Sequence, residues 1–320
     1  MPVDVVALGE PMLEFNTTEP GSLREVRKYE VGWGGDTSNF VVAVSRLGRS
    51  GGYICRLGDD DFGKIFLDLW NHEGIDTSHV ILDKHAPTGI YFISRRGETH
   101  SFTYYRSGSA ASRLSADDIP EEYLAQAKVF HTSGISQAIS DSACDAVFYA
   151  IEVAREAGAL ISYDPNVRLK LWDRERARST ILETIRMADL VFPSLEDARI
   201  ITEMNDAEQI AGELQRLGPK VVALKLGEEG ALLATEDGLR RIDPYRVEVK
   251  DTTGAGDTFD GAFIVAYLDG LDPNECGRFA NAAAALTCTD LGAVKPIPTR
   301  DQVEDLLKQG DQGLLWHQVT

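Results

Sequence analysis

Apolar, β-branched runs alternate with amphipathic stretches along most of this chain, and no other feature narrows its possible folds as much. The extended runs are VDVVALG (3–9), SGGYICRLG (50–58), AKVFHTSG (127–134), ALISYD (159–164), LVFPS (190–194) and KVVALKLG (220–227). Stretches with helical character lie between them, at 37–48, 62–73, 142–157, 174–187, 196–203 and 206–217. Alternation of this kind is the signature of an α/β fold, a mostly parallel sheet covered by helices on both faces.

Two regions break the rhythm. Residues 11–33 and 87–107 look like short strands with turns; TGIYFISRRGETHSFTYYRSGS alternates, turns at Arg96-Gly97-Glu98 and alternates again, which reads as a hairpin. Placed inside a helix-covered chain, these strands suit a lid or an oligomer edge, with a surface ornament as the plainer alternative. The expected division is an α/β body of 1–10, 34–86 and 108–320 and a β lid of 11–33 and 87–107. After residue 227 the texture changes. GALLATEDGLRRIDPYRVEVKD (230–251) reads as short antiparallel strands, AGDTFDGAFIVAYLDG and NECGRFANAAAALTCTDLG as two small-residue helices, 299–308 as a closing helix, and DQGLLWHQVT as a tail or docking segment.

Composition removes several function classes. The 320 residues carry a formal charge of −19, which argues against a protein that grips a phosphate backbone through a basic footprint. If the ligands are anionic, positive groups must be concentrated at the site. No apolar stretch is long enough to span a bilayer. MPVDVVALGE lacks a basic, long apolar leader and reads as a first strand. Cys55, Cys144, Cys276 and Cys288 are scattered without a C-x-x-C pair, so free thiols in a reduced cytoplasm are expected. The six histidines show no metal-binding spacing.

The stretch DTTGAGDTFD (251–260) carries the chemistry. Gly254, Ala255 and Gly256 open a helix whose first turn leaves amide N–H groups unpaired. Those groups and the helix dipole make an anion seat, and glycine lets a phosphate approach closely. Asp257 would repel a bound phosphate, which makes sense if it accepts the proton of an alcohol while the amides hold the phosphoryl group that the alcohol attacks. The plain alternative is a first-turn acid favoured by the dipole. Neither G-x-G-x-x-G nor G-x-x-x-x-G-K-[ST] fits, since Phe259 stands at the third glycine position and no lysine follows.

DTTGAGDTFDGAF resembles the C-terminal signature of the ribokinase-like (PfkB-type) sugar kinases, and GGDTSNFVVAVSRLG (34–48) resembles their N-terminal one. VVALKLGEEGALL (221–233) is similar to the segment beside the nucleotide in that family, and FANAAAALTCTDLGA (279–293) to its nucleotide-side helix. The resemblance covers essentially the whole chain. It implies a doubly wound domain with a small β lid often used for dimerisation, and transfer of the γ-phosphoryl group of ATP to a sugar hydroxyl with magnesium. A monovalent cation is a further cofactor in its scope. Asp257 would be the catalytic base, with Gly254, Ala255 and Gly256 as the anion hole. Gly35, Asp36 and Asn39 would bind the sugar. Asn166, Lys225, Gly227, Gly230 and Asn281, together with Gly254 and Gly256, would lie on the ATP side. The family often places N-x-x-E near magnesium; PSLEDA (193–198) has Ser194 in place of the Asn and leaves Asp197 as the metal-side acid.

FTYYRSGSAAS (102–112), SYDPNVRLKLW (162–172), GGDTSN and HTSGISQAIS (131–140) look like segments of 2-keto-3-deoxygluconate kinases. Residues two apart on a strand face one side, so Tyr104 and Arg106 point together, with Tyr91 beside them on the paired strand. Arg168 follows a strand end, where open α/β sheets bind ligands. Two arginines in one pocket suit a carboxylate, although each can equally be an edge residue or a surface ion-pair partner. The other readings are a kinase of a neutral sugar such as fructose, tagatose or 5-dehydro-2-deoxygluconate, a silent sugar- or nucleotide-binding regulator and, weakest, a nicotinamide oxidoreductase.

Overall fold

The computed structural model describes residues 3–96 and 99–317, with the side chains of 95–100 and 310–317 left aside. In chain order the strands are β1 (Val5–Leu8), β2 (Met12–Thr17), β3 (Tyr29–Gly34), β4 (Gly51–Gly58), β5 (Val80–Asp83), β6 (Gly89–Arg96), β7 (Thr99–Tyr105), β8 (Val129–Ser133), β9 (Leu160–Asp164), β10 (Leu190–Val191), β11 (Val221–Lys225), β12 (Ala231–Thr235) and β13 (Gly238–Ile242). The helices are α1 (Asp36–Arg46), α2 (Asp61–His72), α3 (Glu121–Leu124), α4 (Gly134–Ala138), α5 (Asp141–Glu156), α6 (Arg174–Met187), α7 (Leu195–Thr202), α8 (Ala207–Arg216), α9 (Ala255–Leu268), α10 (Pro273–Thr287) and α11 (Arg300–His317).

Nine strands form one sheet in the order β13-β12-β11-β10-β9-β8-β1-β4-β5. Pairing is parallel from β11 to β5, and β12 and β13 extend one edge antiparallel. Helices connect most of the parallel strands and recross the sheet, while β1 and β5 lead first into the small sheet and β11 turns into the antiparallel β12, which gives this doubly wound topology. All four residues of β1 are fully buried, because successive side chains go to opposite faces and both faces are covered. Val5 and Ala7 join the core under α1, α2, α9 and α10; Val6 and Leu8 join the one under α5, α6, α7 and α8. The winding direction changes between β1 and β8, and ligands in open α/β sheets bind at the carboxyl ends of strands beside such a switch.

A second sheet, β3-β2-β6-β7, stands over those carboxyl ends, with β2 and β6 parallel and the outer pairs antiparallel. Its exposed apolar side chains divide between the two faces, Phe102 and Tyr104 toward the cleft and Val31 and Tyr105 on the other side. The turn expected at 96–98 falls mostly outside the described residues.

Helix α9 reaches α1 because Gly261 lies at their crossing. A Cβ there would sit 2.9 Å from the Phe40 carbonyl oxygen and 3.0 Å from the Ala43 Cβ. Close contact at this point brings the amino ends of the two helices together, and those ends hold the site.

Some details differ from the sequence reading. LVFPS yields only the two-residue β10, since Pro193 has no N–H for a ladder. VILD (80–83) forms an edge strand that its shortness and exposure concealed. The closing helix continues to His317 instead of stopping near 308; no proline interrupts it, and each glycine costs only about 1 kcal/mol. Residues 318–320 of the expected tail lie outside the described residues. All four cysteines are free. Among the described residues no helix is long and apolar enough to cross a membrane.

Candidate active site

A cleft of about 1170 Å³ opens between the carboxyl edge of the large sheet and the small sheet. Its floor is the turn into α9. Asp251 accepts from the Thr253 amide at 3.0 Å and hydroxyl at 2.7 Å with one oxygen, and from the Gly292 amide at 3.1 Å with the other. These bonds lock the loop before the helix. Gly254 then takes a left-handed conformation (φ 78°) as the N-cap, where a Cβ would meet the Ala293 carbonyl oxygen at 2.7 Å. Ala255 donates its amide to Thr252 at 3.2 Å, so it closes the turn and does not line the cleft. Gly256 and Asp257, the second and third helical residues, have no intrahelical acceptor for their N–H groups. At the start of a helix of 14 residues, those amides can receive an anion.

Asp257 lies beside α1. Asn39 donates its side-chain amide to the Asp257 Oδ2 at 2.8 Å. Burial pushes the Asp257 carboxyl up to about 7, the negative charge of Asp36 adds to the lift, and the Asn39 bond opposes it. Asp36 opens α1 after Gly35, whose φ of 102° and approach to the Glu10 carbonyl leave no room for a Cβ. The Asp36 carboxylate accepts from the Thr37 amide and from the Asn166 side chain, both at 2.8 Å, and burial raises its pKa. Asn166 itself takes a left-handed conformation, φ 33°, and donates its backbone N–H to the Asp164 carboxylate at 3.0 Å.

Behind the turn, Lys225 at the end of β11 donates to Asp164 at 2.9 Å and to Asp260 at 3.0 Å. Burial would lift Asp164, but the Lys225 charge outweighs it and holds that carboxyl below the usual range. Burial dominates at Asp260 and pushes it well up.

The small sheet supplies the opposite wall. Tyr91 on β6 and Tyr104 on β7 are register partners with rings stacked 5.7 Å apart. The Arg106 guanidinium lies over the Tyr104 ring at 5.7 Å. Arg106 forms an ion pair through Nη2 with the fully buried Glu10 carboxylate and still lines the cleft. Arg168 differs. It is exposed on the cleft rim and donates to the neighbouring Val167 carbonyl at 2.9 Å, and among the described residues no carboxylate lies within ion-pair distance of it.

Of the residues singled out in the sequence, the cleft gathers Gly35, Asp36, Asn39, Tyr91, Tyr104, Arg106, Asn166, Arg168, Asp197, Lys225, Gly227, Gly254, Gly256 and Asp257. Gly230 and Asn281 do not line it. Gly230, with φ 87°, lets the backbone pass the Ile242 carbonyl, which a Cβ would approach to 2.2 Å. Asn281 donates its amide to the Ile242 and Asp243 carbonyls at 3.2 and 3.0 Å. Three buried acids escaped the sequence reading: Glu10, Asp164 and Asp260. Asp164 ends a strand and Asp260 follows Asp257 by one helical turn, signals that were open to use. Glu10 has no comparable signal; only its ion pair with Arg106, 96 positions away, gives it meaning.

No group of three or more His, Cys, Asp or Glu that could hold a metal occurs among the described residues. That fits Mg²⁺ held by one or two carboxylates plus substrate phosphates and water, and no all-protein cage. Asp197, buried and pushed up to about 6 by burial and by Asp164, lines the cleft together with Glu196 and Asp251. Ser194 caps α7 by accepting from the Asp197 amide at 3.1 Å, which accounts for a hydroxyl at that position.

A helix-start anion seat beside a raised carboxyl, under a second sheet, defines a phosphotransferase of the sugar-kinase kind. Residues 3–300 match the profile of the pfkB family carbohydrate kinases. The chain is 36% identical to a 2-dehydro-3-deoxygluconokinase of Thermoproteus tenax, over 96% of this chain and 94% of that one. It is 35% identical to Fructokinase-1 of Zea mays, over 95% and 98%. A structure from E. coli, provisionally named Ribokinase II and in complex with ATP and Mg²⁺, superposes with a TM-score of 0.89 at 26% identity, covering 96% of this chain and 99% of that one. This chain belongs to the pfkB family of carbohydrate kinases, enzymes that transfer a phosphoryl group to a sugar hydroxyl. Relatives of two substrate types are equally near, so family membership leaves the sugar open.

Proposed function

We propose that the chain is a cytoplasmic kinase that transfers the γ-phosphoryl group of ATP to the terminal hydroxyl of 2-keto-3-deoxygluconate. The observation that carries the sugar assignment is Arg168, a guanidinium on the cleft rim without a carboxylate partner among the described residues. A ligand carboxylate would complete it with charge-assisted hydrogen bonds. Tyr91 and Tyr104 flank the same pocket. Arg106, already neutralised by Glu10, shapes the wall and supplies little net charge. The sequence-based pairing of two arginines on one carboxylate is thereby narrowed to Arg168 as the main charge.

In the reaction, Asp257 accepts the proton of the sugar hydroxyl, whose oxygen attacks the γ-phosphorus as the bond to the bridging oxygen breaks and ADP leaves with the electron pair. A base with a pKa near 7 is matched to work near neutral pH. The amides of Gly256 and Asp257 face the migrating group and stabilise its charge, and positioning of this kind supplies most of the catalysis in phosphoryl transfer. Asp197 would hold magnesium when it is bound, and the ion would neutralise phosphate charge. The small sheet closes as a lid and excludes water, limiting ATP hydrolysis. Its exposed Val31 and Tyr105 fit pairing with a second copy through that face; light scattering should then report a dimer in the native chain and a monomer in Tyr105→Lys.

The runner-up is a neutral-sugar kinase, favoured by the Glu10–Arg106 pair, which neutralises one of the two arginines expected to meet a carboxylate, and by the equal nearness of fructokinases. A panel of 2-keto-3-deoxygluconate, gluconate, fructose and ribose, read by ADP release, separates them. The keto acid should exceed fructose in kcat/KM by about 30-fold or more, the worth of a roughly 2 kcal/mol charged contact. Equal or better turnover of fructose overturns the assignment.

A further inference from the structure

The buried cluster behind the anion seat contains more acid than a phosphate site tolerates. Lys225 Nζ touches Asp164 at 2.9 Å and Asp260 at 3.0 Å, and the side chains of the three keep 14%, 7% and 2% of their surface exposed. They come from three elements: β11, β9 and α9. A Cβ built on Gly256 would lie 3.4 Å from the same Nζ, so glycine leaves the ammonium directly against the turn whose amides face the cleft. With both carboxylates ionised the cluster carries one net negative charge under a seat for phosphate. Two carboxylates this close to one another rarely both ionise. One shared proton makes the cluster neutral and leaves Lys225 a cation.

We infer that Asp164 and Asp260 are positioning residues: as a pair sharing one proton, they hold the Lys225 ammonium beside Gly256, where it serves the migrating phosphoryl group. Asp164 is the ionised partner and Asp260 the protonated one, in line with the opposite directions in which Lys225 and burial move them. The other titratable groups facing the cluster are Asp36 on α1, His131 on β8, Tyr163 on β9, Asp197 on α7 and Asp257 on α9. His131 stays neutral, its pKa pulled down to about 3 by burial, and the acids add to the pressure that keeps the shared proton in place. The inference rests on the phosphotransfer reading but not on the choice of sugar.

The test compares Asp260→Leu, Asp260→Asn and Asp164→Asn, assayed by ADP release with the best acceptor of the sugar panel. Asp260→Leu should lower kcat by about 10- to 100-fold, the cost of a displaced group, and raise the KM for ATP while the KM for sugar stays near wild type. Asp260→Asn, whose amide can accept from Lys225 and donate to Asp164 as a neutral acid does, should recover most of that loss. Asp164→Asn removes the only ionised partner of the lysine, so kcat should gain a new alkaline limb as Lys225 deprotonates. In the wild-type enzyme, carboxyl ¹³C resonances should show one proton held by the pair at neutral pH, a readout that stands even where a variant fails to fold. Two ionised carboxyls at pH 7, an Asp260→Asn loss as large as that of Asp260→Leu, or an Asp260→Leu enzyme with wild-type kcat and KM for ATP would each overturn the inference.

Discussion

Replacing Asp257 by Asn should cost activity and add stability, and the two effects have one cause. The carboxyl of Asp257 is lifted from an ordinary 3.8 to about 7, so the fold holds it where its charged form is disfavoured. A lift of about three pH units corresponds to roughly 4 kcal/mol at 1.36 kcal/mol each. The residue keeps part of its surface open to the cleft, so water screens the penalty and about half of it, ~2 kcal/mol, is the working figure. The sign follows from proton counting. Between pH 4 and 7 the native state holds a proton on Asp257 that the unfolded chain has released, so this group makes the enzyme less stable as pH rises. Above pH 7 both states are ionised and the penalty is fully present. Asn is neutral throughout and can still accept from Asn39. The variant should therefore match wild type in urea melts near pH 4, gain progressively through pH 5 and 6, and exceed it by ~2 kcal/mol at pH 8. Its kcat, read by coupled ADP release, should fall by about 10²–10⁴ for loss of a positioned base. Turnover close to wild type refutes the base assignment. Lost turnover with no gain at pH 8 refutes the claim that the fold disfavours this charge.

Three further expectations follow from the same geometry. Asn39→Ala removes the bond that holds the Asp257 pKa down, so the rising acidic limb of kcat/KM should move to higher pH; a limb that stays or moves down contradicts the bond's role. Arg168→Ala should raise the KM of the acidic sugar by about 30-fold, equivalent to ~2 kcal/mol and at the low end for a charged pair because Arg168 is exposed, and leave the KM for ATP nearly unchanged; an unaltered sugar KM removes the carboxylate role. Gly261→Ala inserts a methyl 2.9 Å from the Phe40 carbonyl, an overpacking cost of about 1–3 kcal/mol offset by roughly 1 kcal/mol of helix propensity. Thermal melts should shift little while kcat drops severalfold as Asn39 and Asp257 part, and unchanged kcat would show that the helix crossing does not set the site.

The large sheet was legible because its strands are short, continuous and β-branched, and because helices with clear apolar faces separate them. Both properties are local, and local patterns survive without coordinates. The start of α9 was legible for the same reason: Gly254 through Asp257 are adjacent in sequence, although Ala255 closes the turn and does not line the cleft. The charge balance of the cleft was not, because it is made of pairings between distant positions. In the sequence Arg106 reads as a strand residue beside Tyr104 and Arg168 as one that follows a strand end, and neither shows which has a carboxylate partner. The fold pairs Arg106 with Glu10 and leaves Arg168 exposed on the rim, and the proposed carboxylate contact rests on that difference. Likewise Lys225 reads as a strand-end lysine until Asp164 and Asp260 are seen on either side of it. A chain with 51 acidic and 32 basic residues can still bind a polyphosphate and a sugar acid only if protons and cations are distributed one by one within the site. Raised carboxyls at Asp257 and Asp260 are one way this fold meets that requirement: a proton retained on Asp260 removes one negative charge from behind the seat, and Asp257, poised near neutral pH, is ionised in a large share of molecules and ready to accept the sugar proton.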